Sequence, residues 1–137
     1  MHRKILIWGL SFSFLSIVLG AFGAHALKSF INIDRLVIFE TGVRYQFMHA
    51  AALIMLALYS SQQQFTAALQ KTIYWASKFF IIGVFCFSGS LYLLALQSIF
   101  KIEWVFIVGP ITPIGGLFFM LGWISWIRVV WLNKVDK

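Results

Sequence analysis

One short segment of the sequence, residues 39–49, carries an acid, a base, a phenol, an amide and an imidazole. These groups belong to Glu40, Arg44, Tyr45, Gln46 and His49. They could move a proton, bind a polar solute or hold a cofactor. The segment opens an apolar run typical of a membrane helix, and a charge near hydrocarbon costs about 3 kcal/mol or more unless it is paired or faces protein. These residues therefore indicate either a functional site or a structural lock.

The composition predicts an integral membrane protein. Of the 137 residues, 61% are hydrophobic and 11% are charged, and the mean hydropathy is +0.91. A soluble chain of this size could not bury so much apolar surface. The net charge of +7 is not gathered in one patch but flanks the apolar runs, which favours orientation in a bilayer over nucleic acid as its cause. The single Cys86 excludes an internal disulfide and a multi-cysteine metal site.

The apolar runs predict an all-α integral membrane protein, a four-transmembrane-helix bundle that forms one domain over residues 1–137. The expected helices are residues 5–27, 36–60, 72–98 and 112–132. The uninterrupted apolar part of the second helix, residues 50–59, is too short to span hydrocarbon alone. Its polar first turns must therefore lie at membrane depth or among the headgroups.

Polar residues are expected to cap two of these helices. Asn32 or Asp34 could accept a backbone N–H at the start of the second helix. Thr112 is the expected N-cap of the fourth helix, with Pro113 at its first position.

The first apolar run also has features of a secretory signal peptide. The basic residues His2-Arg3-Lys4 precede it, and Ala24-His25-Ala26 has the small-residue pattern of a cleavage site. The run is longer than a usual signal-peptide core and long enough to cross about 30 Å of hydrocarbon. We expect an uncleaved first helix, with cleavage before Leu27 as the alternative.

Small residues recur along the predicted helices and would let another helix, of this chain or of a partner, approach closely. They are Ser16, Gly20, Ala24, Gly83, Gly89 and Gly115.

The basic residues predict that both termini lie in the cytoplasm, since cytoplasmic flanks are enriched in lysine and arginine. The side of the termini carries Arg3, Lys4, Lys71, Lys78, Arg128, Lys134 and Lys137, against Lys28, Arg35, Arg44 and Lys101 on the other side. The aromatic residues agree, as belts at the two interfaces should. Trp8, Tyr59, Tyr74, Trp75, Trp126 and Trp131 fall at the cytoplasmic interface, and Trp104 at the outer one.

With this topology the polar residues of all four helices fall in the outer half of the bundle, which predicts one buried polar cluster. Its members are His25, Glu40, Arg44, Tyr45, Gln46, His49, Ser88, Ser90, Tyr92 and Thr112. As a structural lock, the cluster would contain an i,i+4 ion pair between Glu40 and Arg44 that faces the bundle rather than lipid.

The same cluster could serve a function. A carrier or binding protein for a small polar or anionic solute could use the positive potential of Arg44 and of the start of the fourth helix. A haem could bridge His25 and His49, but two histidines without a supporting pattern indicate it only weakly. No Ser-His-Asp arrangement or H-E-x-x-H pattern is present. We therefore expect no enzyme activity, no cofactor and no metal.

Four motifs carry a resemblance to a known family. They are Gly20-Ala21-Phe22-Gly23-Ala24-His25-Ala26-Leu27, Glu40-Thr41-Gly42-Val43-Arg44-Tyr45-Gln46-Phe47-Met48-His49, Phe87-Ser88-Gly89-Ser90-Leu91-Tyr92 and Gly109-Pro110-Ile111-Thr112-Pro113-Ile114-Gly115-Gly116. In order and spacing they resemble the YgdD-like family of small bacterial inner-membrane proteins, which has mitochondrial transmembrane relatives in animals. The resemblance implies a multi-pass protein of the bacterial inner membrane with four spans. It implies no established activity and no catalytic residue.

These observations favour a non-enzymatic accessory or scaffold module that packs through its small-residue faces. Its expected partners are the lipid bilayer and either further copies of the chain or another membrane protein, and not nucleic acid. The solute carrier is the alternative.

Overall fold

The computed structural model describes residues 1–100 and 108–133. Its helices are α1, His2–His25; α2, Ile33–Ser61; α3, Ala67–Gly83; α4, Gly89–Phe100; and α5, Ile111–Leu132. A 3₁₀ turn, Leu27–Ser29, follows α1, and a π-helical turn, Val84–Ser88, joins α3 to α4 without a break. The predicted ranges agree closely with these helices. The largest difference is at the start of α3, predicted at residue 72 and found at Ala67.

Some sequence predictions lie outside the described residues. They concern the outer basic residue Lys101, the outer aromatic residue Trp104, and the basic residues Lys134 and Lys137.

Helix α2 forms the centre of the bundle and runs antiparallel to α1. At one end His2 Nδ1 lies 2.6 Å from the Ser60 hydroxyl oxygen. Towards the other end Gly23 faces the ring of Phe39, which would lie 3.1 Å from an added Cβ. Between these points Ala50, Ala52, Leu53 and Leu56 of α2 are fully buried. The two helices therefore pack against each other along nearly the whole length of α1.

Glycines allow α5 to pack closely against the continuous helical segment formed by α3, the π-helical turn and α4, which we call the α3–α4 rod. Gly83 faces the Phe119 ring, Gly122 faces the Phe80 ring, and Gly115 lies directly against the Phe87 backbone. A Cβ at any of these glycines would overlap its neighbour, so the small residues allow the close approach. The small-residue faces are thus used largely inside the chain. Two of the predicted positions differ, since Ala24 is exposed and nothing lies within 4 Å of the Cβ position of Gly89.

One of the two predicted caps is confirmed. The Asn32 side chain accepts a hydrogen bond from the Arg35 backbone N–H at 3.0 Å. Thr112 is not an N-cap, because α5 begins one residue earlier at Ile111 with Pro110 at the N-cap position. The Thr112 hydroxyl instead lies 2.6 Å from the Ser90 hydroxyl oxygen.

Three helical segments among the described residues are long and apolar enough to cross a bilayer: His2–Ser29, Ala67–Gln97 and Ile111–Leu132. Helix α2 is not among them, and its first half carries Asp34, Arg35, Glu40 and Arg44. Its 29 residues would nevertheless extend about 43 Å at 1.5 Å per residue. The molecule is therefore an all-helical assembly in which the least apolar helix is the most enclosed.

Candidate functional site

The polar segment of α2 divides between two faces of the helix. Gln46 and His49 are 2% and 3% exposed and face the bundle, with Tyr45 half-buried beside them. Glu40 and Arg44 are exposed on the opposite side. The division follows from the 3.6-residue period, which puts residues four apart on one face. Gly42 shares the inner face, where an added Cβ would lie 2.7 Å from the Tyr92 ring. Its lack of a side chain lets α4 approach.

Gln46 joins three helices through its side-chain amide. Its Nε2 donates to the Phe12 carbonyl oxygen of α1 at 3.1 Å. Its Oε1 accepts from the Tyr92 hydroxyl of α4 at 3.0 Å. The same Phe12 carbonyl also accepts from the Ser16 hydroxyl at 2.8 Å. The amide therefore has a partner on each side, as a buried polar group requires in an apolar bundle.

His49 is held in a second set of contacts. Its Nδ1 lies 2.8 Å from the Tyr45 carbonyl oxygen, and its Nε2 lies 3.2 Å from Nε1 of Trp123 on α5. A carbonyl can only accept and an indole N–H can only donate, so the neutral tautomer with the proton on Nδ1 satisfies both contacts. The ring also stacks on Phe119, with 3.5 Å between centroids and 5° between planes. Both nitrogens are thus occupied inside the chain.

Two serines near the π-helical turn behave differently. The Ser90 hydroxyl donates to the Phe87 carbonyl oxygen at 2.9 Å and faces Thr112. The fully buried Ser88 hydroxyl has no hydrogen-bond partner among the described residues. A π-helical turn adds a residue to one helical turn and displaces the side chains that follow. Ser88 is the last residue of this turn and Ser90 follows it, so the two hydroxyls lie in different surroundings.

The structure corrects the predicted cluster in three respects. His25, Glu40 and Arg44 are exposed and do not join the buried residues. The buried members form three separate sets, around Gln46, His49 and Ser90, rather than one network. His49 also lies past the midpoint of α2, so the buried groups are not confined to one half of the bundle.

The predicted Glu40–Arg44 pair facing the bundle is also wrong. The two side chains are exposed, and within the described ranges no ion pair joins them. Gly42, Gln46 and His49 already occupy the inner face of α2. The alternative of a haem between His25 and His49 has no support from the geometry either, because His25 is exposed at the end of α1 while both nitrogens of His49 have partners.

Two residues that contribute to these contacts were not predicted. Trp123 is the partner of His49, and its position away from the predicted aromatic belts was a signal, because an indole N–H buried in a bundle needs an acceptor. Arg35 was counted only as a charge that orients the chain. Its guanidinium donates to the Leu94 carbonyl oxygen, and it faces Gln97, whose amide oxygen accepts in the orientation that satisfies both groups. Arg35 thereby ties the start of α2 to α4.

The polar groups around Gln46, His49 and Ser90 have their hydrogen-bond partners within the chain. A cavity of about 400 Å³ touches Ser90 and Tyr92, but Phe85, Leu93 and Ile111 make the rest of its wall mainly apolar. Among the described residues no three His, Cys, Asp or Glu side chains lie together as a metal site would require. The geometry is that of helices locked by hydrogen bonds across a bundle.

Comparison with known proteins gives the family. Residues 19–116 match the model of the family described as "Protein of unknown function (DUF423)". The chain is 37% identical over 122 residues to UPF0382 membrane protein SH2409 of Staphylococcus haemolyticus, which covers 89% of this chain and 90% of that protein. It is 37% identical over 125 residues to UPF0382 inner membrane protein YgdD of Escherichia coli K12, covering 88% and 84% respectively. A UPF0382 membrane protein of Haemophilus influenzae is 36% identical over 91% of both chains.

No solved structure matches the chain. The similarity to membrane proteins over 88–91% of the chain agrees with the apolar helices, and the matching family is described as one of unknown function. The predicted resemblance is therefore confirmed, and the chain belongs to the DUF423 family of small membrane proteins of unknown function.

Proposed function

We propose that this protein is a non-enzymatic module of the bacterial inner membrane that assembles with a second copy of itself through the outer face of α2. The module has four spans, formed by α1, α2, the α3–α4 rod and α5, in one domain with both termini in the cytoplasm. The antiparallel packing of α2 along α1 supports the proposal that α2 also crosses the membrane. The name of the Escherichia coli relative, an inner membrane protein, supports the inner membrane as the location.

The main observation in favour of self-association is that Glu40 and Arg44 are exposed on an otherwise apolar face of α2. The same face carries Val37, Phe47 and Met55, which are 54%, 50% and 50% exposed. Glu40 and Arg44 lie about 10 Å and about 16 Å along the axis of a helix about 43 Å long. With about 30 Å of hydrocarbon centred on α2, both charges lie within the apolar layer. A lipid contact there is unfavourable, whereas a protein contact is not.

A second copy of the chain fits this face because the face is self-complementary. In a two-fold arrangement, residue i of one copy contacts residue j of the other and the reverse also holds. Glu40 of each copy would then face Arg44 of the other copy, which gives two ion pairs. Two buried charges of opposite sign, hydrogen-bonded to each other, offset much of their desolvation.

The exposed residues have the spacing of a helix seam, and two copies with the same topology place their α2 helices parallel. Ile33, Val37, Glu40, Arg44 and Phe47 follow one another at alternating intervals of four and three residues. This is the spacing of a left-handed helix seam. Arginine side chains lean towards the helix N-terminus, so Arg44 reaches the level at which Glu40 of the second copy lies.

The alternative carrier function has less support. A carrier needs groups that are free to receive a solute, whereas Gln46 and His49 have partners within the chain. Arg44, which was expected to attract an anion into the bundle, points away from it.

The experiment is a count of copies in the purified full-length protein, by native mass spectrometry from mild detergent or lipid nanodiscs. We expect a dimer for the unmodified chain and a shift towards monomer for Glu40→Gln and for Arg44→Gln. Arg128→Gln removes an exposed arginine from α5 and is the matched control, which should remain dimeric. A monomeric unmodified chain, or equal effects of Arg44→Gln and Arg128→Gln, would contradict the proposal.

The topology has a separate test. A reporter fused after Lys137 should be active on the cytoplasmic side, and activity in the periplasm would contradict four spans with cytoplasmic termini. An intact mass that includes residues 1–26 would show that α1 is retained.

A further inference from the structure

A groove of about 370 Å³ opens between the start of α1 and the middle of α3. Lys4 lies on one side and Lys78 on the other, with Trp8 and Tyr74 beside them. Among the described residues that line the groove, none is acidic. The groove is thus a recess that two lysine side chains border and no lining carboxylate neutralises.

The surroundings of Lys78 would allow its ammonium group to contact an anion in the groove. The side chain is half-buried, and its Nζ lies 5.5 Å from the centroid of the Tyr74 ring. A long lysine stem can lie along apolar surface while its charged end reaches the interface. The ring contributes a cation–π contact but no countercharge. An anion in the groove would supply that countercharge.

The walls of the groove change character along its length. Tyr74 and Trp8 are 44% and 40% exposed, and side chains of these two types concentrate where hydrocarbon meets the headgroups. Ile5 and Ile81 continue the wall with apolar surface. A ligand that fills the groove therefore needs an anionic group at one end and an apolar body at the other.

We propose that this groove binds an anionic phospholipid, with Lys4 and Lys78 contacting the phosphate and an acyl chain lying along Trp8 and Ile81. In the proposed topology this end of the bundle faces the cytoplasm, where basic groups attract anionic lipids. The Ser77 hydroxyl at the groove already donates to the Tyr74 carbonyl oxygen at 2.7 Å. Recognition therefore rests on charge, so the site distinguishes anionic from zwitterionic lipids rather than one anionic headgroup from another.

The test uses the purified full-length protein in detergent, to which lipids are added while bound adducts are counted by native mass spectrometry and the unfolding temperature is recorded. We expect phosphatidylglycerol to bind and to raise the unfolding temperature, and phosphatidylcholine with the same acyl chains to do neither. Lys4→Gln and Lys78→Gln should each weaken phosphatidylglycerol binding about fivefold, in line with the attraction of one basic residue near a membrane surface. Lys71→Gln, an exposed lysine of α3 outside the groove, is the matched control and should bind as the unmodified chain does.

Two soluble phosphates test whether the groove binds a lipid or a free phosphate. Glycerol phosphate and inorganic phosphate should neither form adducts nor displace the lipid, because they lack the apolar body. Displacement by either would overturn the lipid assignment in favour of a soluble phosphate. Equal binding of the two lipids, or an equal loss in Lys71→Gln, would overturn the groove as the site.

Discussion

The indole N–H of Trp123 points to Nε2 of His49 across 3.2 Å, which joins α5 to α2 in the middle of the bundle. His49 is the only imidazole among the buried residues of the described chain, and this bond leaves it no nitrogen free for chemistry. Its position therefore supports a lock between helices.

The first prediction concerns this bond. Trp123→Phe leaves Nε2 of His49 without a donor, and His49→Phe leaves the indole without an acceptor. Each change should destabilise the protein, and the double variant should lose less than the sum of the two. Double-mutant cycles on hydrogen bonds between membrane helices average about 0.6 kcal/mol, with a maximum of about 1.7 kcal/mol. Unfolding in mixed micelles measures the coupling, with Trp131→Phe, at a side chain that is 69% exposed, as the control. Additive losses would show that the bond does not contribute.

The second prediction compares two glycines on neighbouring helices. A Cβ at Gly115 would overlap the backbone of Phe87, which cannot move aside as a flexible side chain could, whereas a Cβ at Gly89 would meet nothing within 4 Å. Gly115→Ala should therefore cost about 1–3 kcal/mol of unfolding free energy, as overpacking does. Gly89→Ala should be neutral or stabilising by up to about 1 kcal/mol, because alanine favours the helix. Equal effects of the two changes would contradict the packing of α5 on the α3–α4 rod.

The sequence was sufficient to predict approximately where the helices lie, because long apolar runs alternate with short polar connections. The expectation that Glu40 and Arg44 face the bundle was wrong, because Gln46 and His49 occupy the inner face of α2. These four residues and Tyr45 are all polar, so the apolar pattern does not show which of them face inward. In the structure Gly42 lies on the inner face, where its lack of a side chain leaves room for the Tyr92 ring. The contact of Arg35 with the Leu94 carbonyl oxygen could not be predicted from the sequence. Every residue has a backbone carbonyl, so residue type does not show which one accepts the bond.

The third prediction concerns the two serines of the π-helical region. Ser88→Ala removes a buried hydroxyl that has no partner in the described part of the chain, so it should leave the unfolding free energy unchanged or raise it by about 1 kcal/mol. Ser90→Ala removes the partner of Thr112 and should lower it by a similar amount. Both are changes of one hydroxyl to hydrogen, so each serves as the control for the other. A larger loss for Ser88→Ala than for Ser90→Ala would contradict the assignment of the bonds.

The central claim, that Glu40 of one copy faces Arg44 of another, is tested most directly by exchanging charges between two differently tagged chains. Glu40→Arg alone places like charges together at both contacts, and so does Arg44→Glu alone, so neither variant should form a dimer with itself. Co-expressed, the two variants restore an acid opposite a base at both contacts. We predict that each tag then recovers the other variant from detergent extracts, while each variant expressed alone stays monomeric. Failure of the two variants to associate, although both are folded in the membrane and the unmodified chain is dimeric, would contradict the contact.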